Sequence, residues 1–313
     1  MCRIESKDYY FISDEGENLR CSLPGKFKKD LLHKKDKLYN TDIVVVGDRV
    51  EIQLNNDNTG VITSINPRNN YLSRKAPKLK GAGVRGERLE QIIASNIDEL
   101  FVVTSVDEPV FNNKVVDRFL VLAESSQIPA SIIINKSDLI RDEQMDFWID
   151  LYTGIGYRVF LTSVTSNIGI DQLKSEIKSK VSLFFGHSGV GKSSLLNIVF
   201  PGFNLATGNV STFTVKGTHT TVTATMLKTD IDTYVIDTPG IREIEPFGVS
   251  KENLGHYYIE FTKFSNNCRF NTCTHSHEPG CAVITAVDDG LISTERYESY
   301  LRLLETVETD IHF

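Results

Sequence analysis

Three short motifs lie along this chain in an order that limits the folds open to it. NKSD at 135–138 comes first, a glycine-rich stretch at 186–194 follows, and DTPG at 237–240 comes last. Each motif follows an apolar run that predicts a buried strand. In a doubly wound α/β sheet, ligands bind beyond the carboxyl ends of the strands, wherever those ends lie along the chain. The order therefore predicts an α/β domain in which the usual succession of nucleotide-binding motifs is circularly permuted.

The middle motif, GHSGVGKSS, has the spacing of a phosphate-binding loop. Its glycines allow backbone N–H groups to point at phosphate oxygens, and the helix that follows adds its partial positive charge. Lys192 would reach the β- and γ-phosphates, and the Ser193 hydroxyl would bind Mg²⁺. The predicted phosphate-binding residues are Gly186, His187, Ser188, Gly189, Val190, Gly191, Lys192, Ser193 and Ser194.

The NKSD motif supplies groups that can recognise guanine. The Asp138 carboxylate can accept two hydrogen bonds, from guanine N1–H and from the exocyclic amine, which is a donor pair that adenine lacks. Asn135 and Lys136 would brace the base. Ser163, in a Thr-Ser-Val stretch after a later strand, takes the position of a second base-contacting loop.

Two further stretches are typical of loops that sense the γ-phosphate. Asp237 would hold Mg²⁺ through water, and the Gly240 N–H would contact the γ-phosphate. The polar stretch between the phosphate loop and DTPG contains Thr220 and Thr221. Either threonine could bind Mg²⁺, and the spacing does not choose between them.

A cysteine cluster near the C-terminus has the spacing of a metal site. Cys268, Cys273, His275 and Cys281 form the pattern C-x4-C-x-H-x5-C, with His277 as the rival imidazole. Three thiolates and one imidazole make a closed tetrahedral set, which predicts one structural Zn²⁺ per chain. The total of five cysteines is odd, which favours metal binding in a reducing compartment over a set of disulfides.

The pattern of elements predicts a multidomain α/β chain. Residues 1–72 contain the β-rich stretches YYFIS, NLRCSL, DIVVVGDRVEIQL and TGVITSI, which predict a small barrel of the OB-fold type. Residues 73–90, rich in Lys, Arg, Gly and Pro, are predicted to be a linker. Residues 91–248 alternate strands and helices, as expected for a mostly parallel sheet. Residues 249–313 form the predicted zinc-binding domain, with a helix from about residue 294 to residue 308.

Charge is distributed unevenly along the chain. The net charge is -7, but residues 1–90 hold 17 Lys and Arg against 13 Asp and Glu, which gives +4, and the remainder is -11. A polar, lysine-rich loop at 25–37 is expected to project from the barrel. The basic N-terminal part is thus a candidate RNA-binding surface. The chain shows neither a signal-peptide pattern nor an apolar run of ~20 residues, so a cytoplasmic location is expected.

The combination of motifs resembles the RsgA (YjeQ) family of circularly permuted GTPases. The motif order, GHSGVGKSSLLN, the HTT stretch, DTPGIRE and the cysteine pattern carry the resemblance, and GKFKK and VGDRVEI extend it into the N-terminal part. The resemblance implies an OB-fold, a permuted GTPase domain and a zinc-binding domain. It also implies GTP hydrolysis that the small ribosomal subunit stimulates during its late maturation. We therefore expect GTP and GDP, Mg²⁺, the small subunit and its rRNA as ligands of a monomeric chain.

The position that holds the water-orienting glutamine in Ras-like enzymes carries a different residue in this chain. Those enzymes carry a glutamine directly after the DxxG motif, whereas Ile241 stands here and cannot form a hydrogen bond. Slow intrinsic hydrolysis is therefore expected. His219 is the nearest candidate for the catalytic residue, and the alternative is that it contacts rRNA.

Two other functions are compatible with parts of the sequence. A phosphate loop also occurs in ATPases and kinases that act on small molecules, and nucleotide competition would distinguish these from a guanine-specific site. A non-hydrolysing RNA-binding scaffold could hold nucleotide without turnover. Turnover measured with and without ribosomal subunits would separate that scaffold from a GTPase.

Overall fold

Five short strands in the N-terminal part of the chain form one sheet. The computed structural model describes residues 1–5, 8–25, 27, 43–57, 59–75, 90–141, 143–203, 205, 224–230, 232–237 and 246–307. The N-terminal strands are β1 (Arg3–Glu5), β2 (Asp8–Ile12), β3 (Asn18–Ser22), β4 (Val50–Leu54) and β5 (Thr59–Ile65). Their order is β1-β2-β3-β5-β4, with β3 and β5 parallel and the other neighbours antiparallel. Five short strands in this non-sequential order agree with the predicted OB-fold.

The alternation of side chains along β3 shows why this sheet buries one face. Leu19 and Cys21 are buried, and the other three residues of the strand are exposed. The two buried side chains belong to the same core cluster as Phe11 and Ile62. Because side chains on a strand alternate between its two faces, this pattern leaves the other face of β3 to solvent.

The strand predicted over residues 42–54 is shorter than the sequence suggests. Only Val50–Leu54 forms a strand, because Gly47 has a φ of +94° and the chain turns there. A Cβ on Gly47 would lie 2.0 Å from the Ser95 carbonyl oxygen, so a side chain cannot be accommodated. The next residue, Asp48, is buried and accepts hydrogen bonds from Arg68 and Ser95, which hold the turn in place.

A two-stranded antiparallel sheet flanks the segment predicted as a linker. Strands β6 (Tyr71–Lys75) and β7 (Glu90–Ser95) pair with each other, so both ends of the 73–90 segment lie in strands. Val46 bridges to Ala94, and Arg74 bridges to Pro246, which follows the DTPG motif in sequence. The segment between the strands lies outside the described residues. The domain boundaries drawn from the sequence stay a prediction.

The central part of the chain forms a six-stranded sheet. Its strands are β8 (Glu99–Ser105), β9 (Ala130–Asn135), β10 (Arg158–Leu161), β11 (Val181–Gly186), β12 (Thr225–Asp230) and β13 (Thr233–Asp237). They are ordered β10-β9-β8-β11-β13-β12, and all neighbours are parallel except β12 and β13. The centre of the sheet therefore pairs β8 with β11, which delivers the phosphate loop. This is the mostly parallel sheet that the sequence predicts.

Within the described part of the chain, four helices cover the two faces of this sheet. They are α1 (Asn113–Ser125), α2 (Gln144–Ile155), α3 (Ile170–Ile177) and α4 (Lys192–Val199). Leu100 and Val102 of β8 pack with α1 and α2, whereas Phe101 and Val103 pack with α3 and α4 on the opposite face. Every residue of β8 is buried, as expected for a strand at the centre of a doubly wound sheet. The sequence did not single out α2.

The C-terminal segment is helical and packs on the central part. It contains α5 (Thr262–Ser265), α6 (Ala282–Asp288) and α7 (Thr294–Thr306), preceded by 3₁₀ turns at Leu254–Tyr257 and Ile259–Phe261. The predicted last helix thus ends at Thr306, and residue 308 lies outside the described residues. Val121 of α1 shares a core cluster with Tyr300 of α7. Within the described ranges, every helix is too short or too polar to span a bilayer.

A buried ion-pair network joins α7 to α1. Arg296 is 1% exposed and donates to Asp117 of α1 and, at 2.7 and 3.1 Å, to Glu260. The Tyr152 hydroxyl donates to Asp117 at 2.7 Å. The guanidinium lies 4.4 Å from the centre of the Tyr258 ring. Because a buried charge is stable only with its partners, this network holds the C-terminal segment in one position on α1.

Candidate nucleotide site and metal centre

The three sequence motifs meet at one edge of the central sheet. Asn135 ends β9, Gly186 ends β11 and Asp237 ends β13. Because β9 and β11 run parallel to β8, and β13 runs parallel to β11, all three strand ends lie at the same edge. This is the edge where doubly wound sheets bind ligands. The permuted order along the chain does not separate the motifs in space.

The phosphate loop needs its glycines for close packing. Gly189 and Gly191 both have a φ of +87°, a conformation that residues with a side chain rarely adopt. A Cβ on Gly191 would lie 2.4 Å from Asn135 Nδ2, and a Cβ on Gly186 would lie 2.5 Å from the Val103 carbonyl oxygen. The loop therefore packs directly against β8 and against the NKSD motif.

Asn135 connects the base-reading motif to the phosphate loop. Its side-chain nitrogen donates to the Val190 carbonyl oxygen at 2.9 Å, and its oxygen accepts from the Thr162 hydroxyl at 3.1 Å. Asn135 is 2% exposed. A buried amide with both ends satisfied fixes the relative position of the two motifs.

Asp138 lies beside Ser163, its predicted neighbour. The Ser163 hydroxyl donates to Asp138 Oδ1, and this hydrogen bond lowers the pKa of the Asp138 carboxyl below its usual value. The carboxylate is therefore ionised at neutral pH, which is the form that accepts two hydrogen bonds. Asp138 is exposed, so a base can reach it.

Lys192 and Asp237 form an ion pair across the site. Lys192 Nζ lies 2.9 Å from Asp237 Oδ1, and both side chains are mostly buried. The phosphate loop and the DTPG motif are thus in direct contact. These are the two groups that the sequence predicts to face phosphate and Mg²⁺.

The other predicted phosphate-binding residues follow the course of the loop. His187 and Gly189 are exposed, while Ser188, Ser193 and Ser194 are partly buried at or near the first turn of α4. The remaining site residues of the sequence prediction lie outside the described residues, namely His219, Thr220, Thr221, Gly240 and Ile241.

A loop that the sequence did not single out also touches the site. Lys136 has a φ of +59°, and its ammonium donates to the Glu108 carbonyl oxygen. A Cβ on Gly189 would lie 3.4 Å from Pro109 Cδ, and the Ser105 hydroxyl donates to the Pro109 carbonyl oxygen at 2.7 Å. This loop follows β8 and so leaves the sheet at the same edge. The sequence offered one signal for this loop, namely its position after a buried strand. The identity of its residues did not indicate which parts of the site it contacts.

The cysteine cluster forms a compact candidate metal site. The ligand atoms of Cys268, Cys273, His275 and Cys281 all lie within 4.8 Å of one another. His275 Nδ1 lies 3.6 Å from Cys268 Sγ and 3.4 Å from Cys281 Sγ, so this ring nitrogen faces the thiols. His277, the rival imidazole, is exposed and bonds the Ser276 hydroxyl instead.

The buried thiols of the cluster ionise at neutral pH only beside a positive charge. Burial raises the pKa of the Cys273 thiol to about 12 and also raises that of Cys281, so thiolates here require a nearby positive charge. Glu278 braces the loop by accepting from the backbone N–H groups of Thr274 and Ser276. Burial raises the pKa of Glu278, but hydrogen bonds from the Thr274 hydroxyl and from the backbone N–H groups of Thr274 and His277 outweigh it and hold the pKa well below the usual value.

Comparison with known proteins identifies the family. A family model described as RsgA GTPase matches residues 65–247, and a model described as RsgA N-terminal domain matches residues 6–62. The chain belongs to the RsgA GTPase family. Family membership makes the chain a GTP hydrolase, and the alternative of a kinase on a small molecule is not supported.

Relatives and solved structures of the RsgA family align over nearly the whole chain. "Small ribosomal subunit biogenesis GTPase RsgA 2" of Bacteroides thetaiotaomicron is 40% identical, covering 96% of this chain and 94% of the relative. The RsgA protein of Chlorobaculum tepidum is 39% identical, covering 97% and 96%. The crystal structure of YjeQ from Thermotoga maritima has a TM-score of 0.77 at 32% identity, covering 97% and 96%. YloQ, described as a circularly permuted GTPase, has a TM-score of 0.70 at 29% identity, covering 97% and 92%.

Proposed function

We propose that this chain hydrolyses GTP in the biogenesis of the small ribosomal subunit. The observation that carries the proposal is the meeting of NKSD, the phosphate loop and DTPG at one sheet edge, in a chain whose full-length relatives bear that name. Binding to the small subunit stimulates hydrolysis during late maturation, and the chain leaves afterwards. The protein acts as a monomer in the cytoplasm.

Guanine recognition rests on Asp138. Its carboxylate accepts from N1–H and the exocyclic amine of guanine, while Lys136 and Ser163 keep the base and the carboxylate in position. The low pKa of Asp138 supports this role, because a protonated carboxyl would lose one of the two acceptor sites. The phosphates lie along the loop from Gly186 to Ser194, with backbone N–H groups and Lys192 as donors.

Mg²⁺ enters with the nucleotide. The Ser193 hydroxyl, Asp237 through water, and either Thr220 or Thr221 would hold it, and the Gly240 N–H would contact the γ-phosphate. When bound, the ion offsets the charge of the phosphate oxygens. The Lys192–Asp237 ion pair supports this arrangement, because it brings the phosphate-binding cation and the metal-binding carboxylate together.

The metal in the cysteine cluster is one structural Zn²⁺. Zn–S bonds of about 2.3 Å and Zn–N bonds of about 2.0 Å require ligand atoms about 3.5–3.8 Å apart in a tetrahedron. The separations of 3.6, 3.4 and 3.9 Å among Cys268, His275 and Cys281 lie within about 0.1 Å of that range. Three thiolates and an imidazole leave no position for substrate, so the ion stabilises the segment.

The catalytic group for water is His219. Ile241, at the position of the usual glutamine, cannot orient water. His219→Ala is expected to lower subunit-stimulated turnover by about 10²-fold, the usual scale for a lost acid–base group, with little change in GTP affinity. Single-turnover hydrolysis with saturating subunits measures this, together with subunit binding of the same variant. Normal hydrolysis would assign catalysis to the ribosome, and lost subunit binding would make His219 a contact residue.

The test of the proposal as a whole is GTP turnover titrated with purified small subunits. Turnover is expected to rise with subunit concentration and to saturate. ATP at the same concentration should not compete, because Asp138 rejects adenine. A rate that subunits leave unchanged would reduce the chain to a nucleotide-holding scaffold. Competition by ATP would contradict guanine recognition.

A further inference from the structure

An exposed cluster of large apolar side chains lies near the nucleotide motifs. Val110 is 73% exposed and Phe147 is 44% exposed. Between them, Phe111 and Trp148 are half-buried, with ring centroids 5.3 Å apart, and the Phe147 ring meets Trp148 edge-on at 5.1 Å. We call Val110, Phe111, Phe147 and Trp148 the aromatic surface. It combines the loop after β8 with the first half of α2.

Acidic side chains border the aromatic surface. Glu143, Phe147 and Asp150 follow one another at helical spacing, so carboxylates lie one turn before and one turn after the exposed ring. Asp146 on the same helix and Glu108 on the neighbouring loop are also exposed. The two contributing segments, 106–113 and 143–155, contain no Lys or Arg, although Lys114 and Arg141 adjoin them and Lys136 donates to the Glu108 carbonyl oxygen. The surface is thus an apolar centre with a margin in which carboxylates outnumber basic groups.

The aromatic surface is continuous with the nucleotide site. Its loop carries the Glu108 carbonyl oxygen that accepts from Lys136, and Pro109 beside Gly189 of the phosphate loop. Val110 is the next residue. A partner bound on this surface would therefore lie against the segment that touches both the base-reading motif and the phosphate loop.

We infer that the aromatic surface binds a basic polypeptide segment of the small ribosomal subunit. The inference rests on the proposed function, which supplies the small subunit as the target. Aromatic side chains surrounded by a polar margin are typical of protein interfaces, and an arginine over Phe147 would add a cation–π contact. Lys and Arg of the partner would face Glu143, Asp146 and Asp150. RNA fits poorly, because its phosphates would lie against these carboxylates.

Charge removal distinguishes a protein partner from RNA by the sign of the effect. In the variant Asp146→Asn/Asp150→Asn, a basic polypeptide loses attraction, so affinity for small subunits is expected to fall by about threefold or more at physiological salt. An RNA partner would lose repulsion, and affinity would rise. The control Asp288→Asn/Asp289→Asn changes two exposed acids elsewhere and alters the net charge equally. Affinity that rises, or that does not differ from the control, would overturn the inference.

The apolar centre is tested separately. Phe147→Ser is expected to weaken subunit binding by about fivefold or more, as for a central interface aromatic. Leu291→Ser, at a side chain that is 67% exposed in the C-terminal segment, is the matched control. Unfolding midpoints and GTP affinities of both variants should equal those of the unmodified chain. Equal subunit affinity for Phe147→Ser and the unmodified chain would overturn the inference.

Cross-linking identifies the partner class directly. A photoreactive benzoylphenylalanine at position 147 is irradiated with small subunits and a non-hydrolysable GTP analogue, after sedimentation has shown association. An adduct with a ribosomal protein is expected. An adduct with rRNA alone, or no adduct in a chain that sediments with subunits, overturns this inference and leaves the proposed function intact. A chain that does not sediment with subunits contradicts the proposed function and this inference together.

Discussion

Asn135 shows how a single residue joins motifs that are distant in sequence. It bonds Val190 of the phosphate loop, 55 residues away, and leaves no room for a side chain at Gly191. The NKSD motif and the phosphate loop are therefore held together by one buried contact. Asp138 is free of this packing constraint, because it is exposed and bonded to Ser163 only through its side chain. Substitution of Asp138 should thus alter recognition without altering the fold.

Asp138→Asn is expected to change base preference. The amide offers one acceptor and one donor in place of two acceptors, so guanine loses a charge-assisted hydrogen bond and meets a misplaced donor. GTP affinity should fall at least about tenfold, and xanthosine triphosphate, which carries an oxygen at position 2, should bind better than GTP. Equilibrium titration with both nucleotides measures the change. Asp171→Asn, at an exposed acid on α3, is the control, and unchanged GTP affinity in Asp138→Asn would refute the assignment.

At the scale of elements, the sequence predicted those parts whose signal is local. Strand β8 was evident because it contains an apolar run, as a strand buried on both faces requires. The phosphate loop was evident because its glycines and Lys192 have a fixed spacing. Strand β1 has three residues and β6 contains Ser73, Arg74 and Lys75, so neither carries an apolar pattern. Their pairing depends on partners elsewhere in the chain. For Glu108 and Pro109 the sequence offered one signal, their position after a buried strand, but it did not reveal their contacts with Lys136 and Gly189.

The network between α1 and α7 could not be predicted either, because an Arg and an Asp 179 residues apart look like ordinary surface charges. Its burial makes it energetically important. Arg296→Leu leaves Asp117 and Glu260 without their cation, and should lower the free energy of unfolding by about 3–5 kcal/mol. Denaturant titration measures this loss. Arg302→Leu, at an exposed position of the same helix, should change stability by less than about 0.5 kcal/mol.

A compensating substitution tests the cause of that loss. Combining Arg296→Leu with Asp117→Leu removes one unpaired buried carboxylate and should restore part of the stability, since apolar replacements of buried pairs are often tolerated. If the double variant is no more stable than Arg296→Leu, lost packing rather than unpaired charge is responsible.

At the scale of the whole molecule, the metal site and the nucleotide site are separate units joined through α1. The C-terminal core cluster includes Val121 of α1, Cys273 and Cys281, so the metal-bearing segment is packed against the central part. The phosphate loop and NKSD contribute nothing to that cluster. Metal loss should therefore loosen the C-terminal segment before it affects nucleotide binding.

Cys273→Ser is expected to lose the metal and to destabilise residues 249–307, because metal-binding energy is folding energy in so small a segment. GTP affinity should be retained. Elemental analysis and hydrogen exchange of the C-terminal segment measure the two effects. Cys2→Ser, at a cysteine of the N-terminal part, should keep the metal. If the unmodified protein contains another divalent metal but no zinc, the assignment of the ion as Zn²⁺ is wrong. If it contains no divalent metal, the cluster is not a metal site.

The uneven charge of the chain predicts two kinds of contact with a ribosomal subunit. Residues 1–90 carry +4 and the remainder -11, so RNA should be bound mainly by the N-terminal part. Neutralising Lys28, Lys29, Lys34 and Lys35 to Gln, at positions outside the described residues, should weaken subunit binding and flatten its dependence on salt. Each lost phosphate contact reduces the slope of log affinity against log salt by about 0.7–0.9, so the four together reduce it by up to about 3.6.

The salt slope separates a specific RNA contact from a general effect of charge. Lys174→Gln with Lys178→Gln removes two exposed lysines from the acidic part of the chain and should leave the slope unchanged. A general effect of net charge would instead change the slope in proportion to the number of lysines removed, in whichever part they lie. Identical slopes for the four-lysine variant and the unmodified chain would show that this loop does not contact phosphates. RNA binding would then have to come from another part of the molecule.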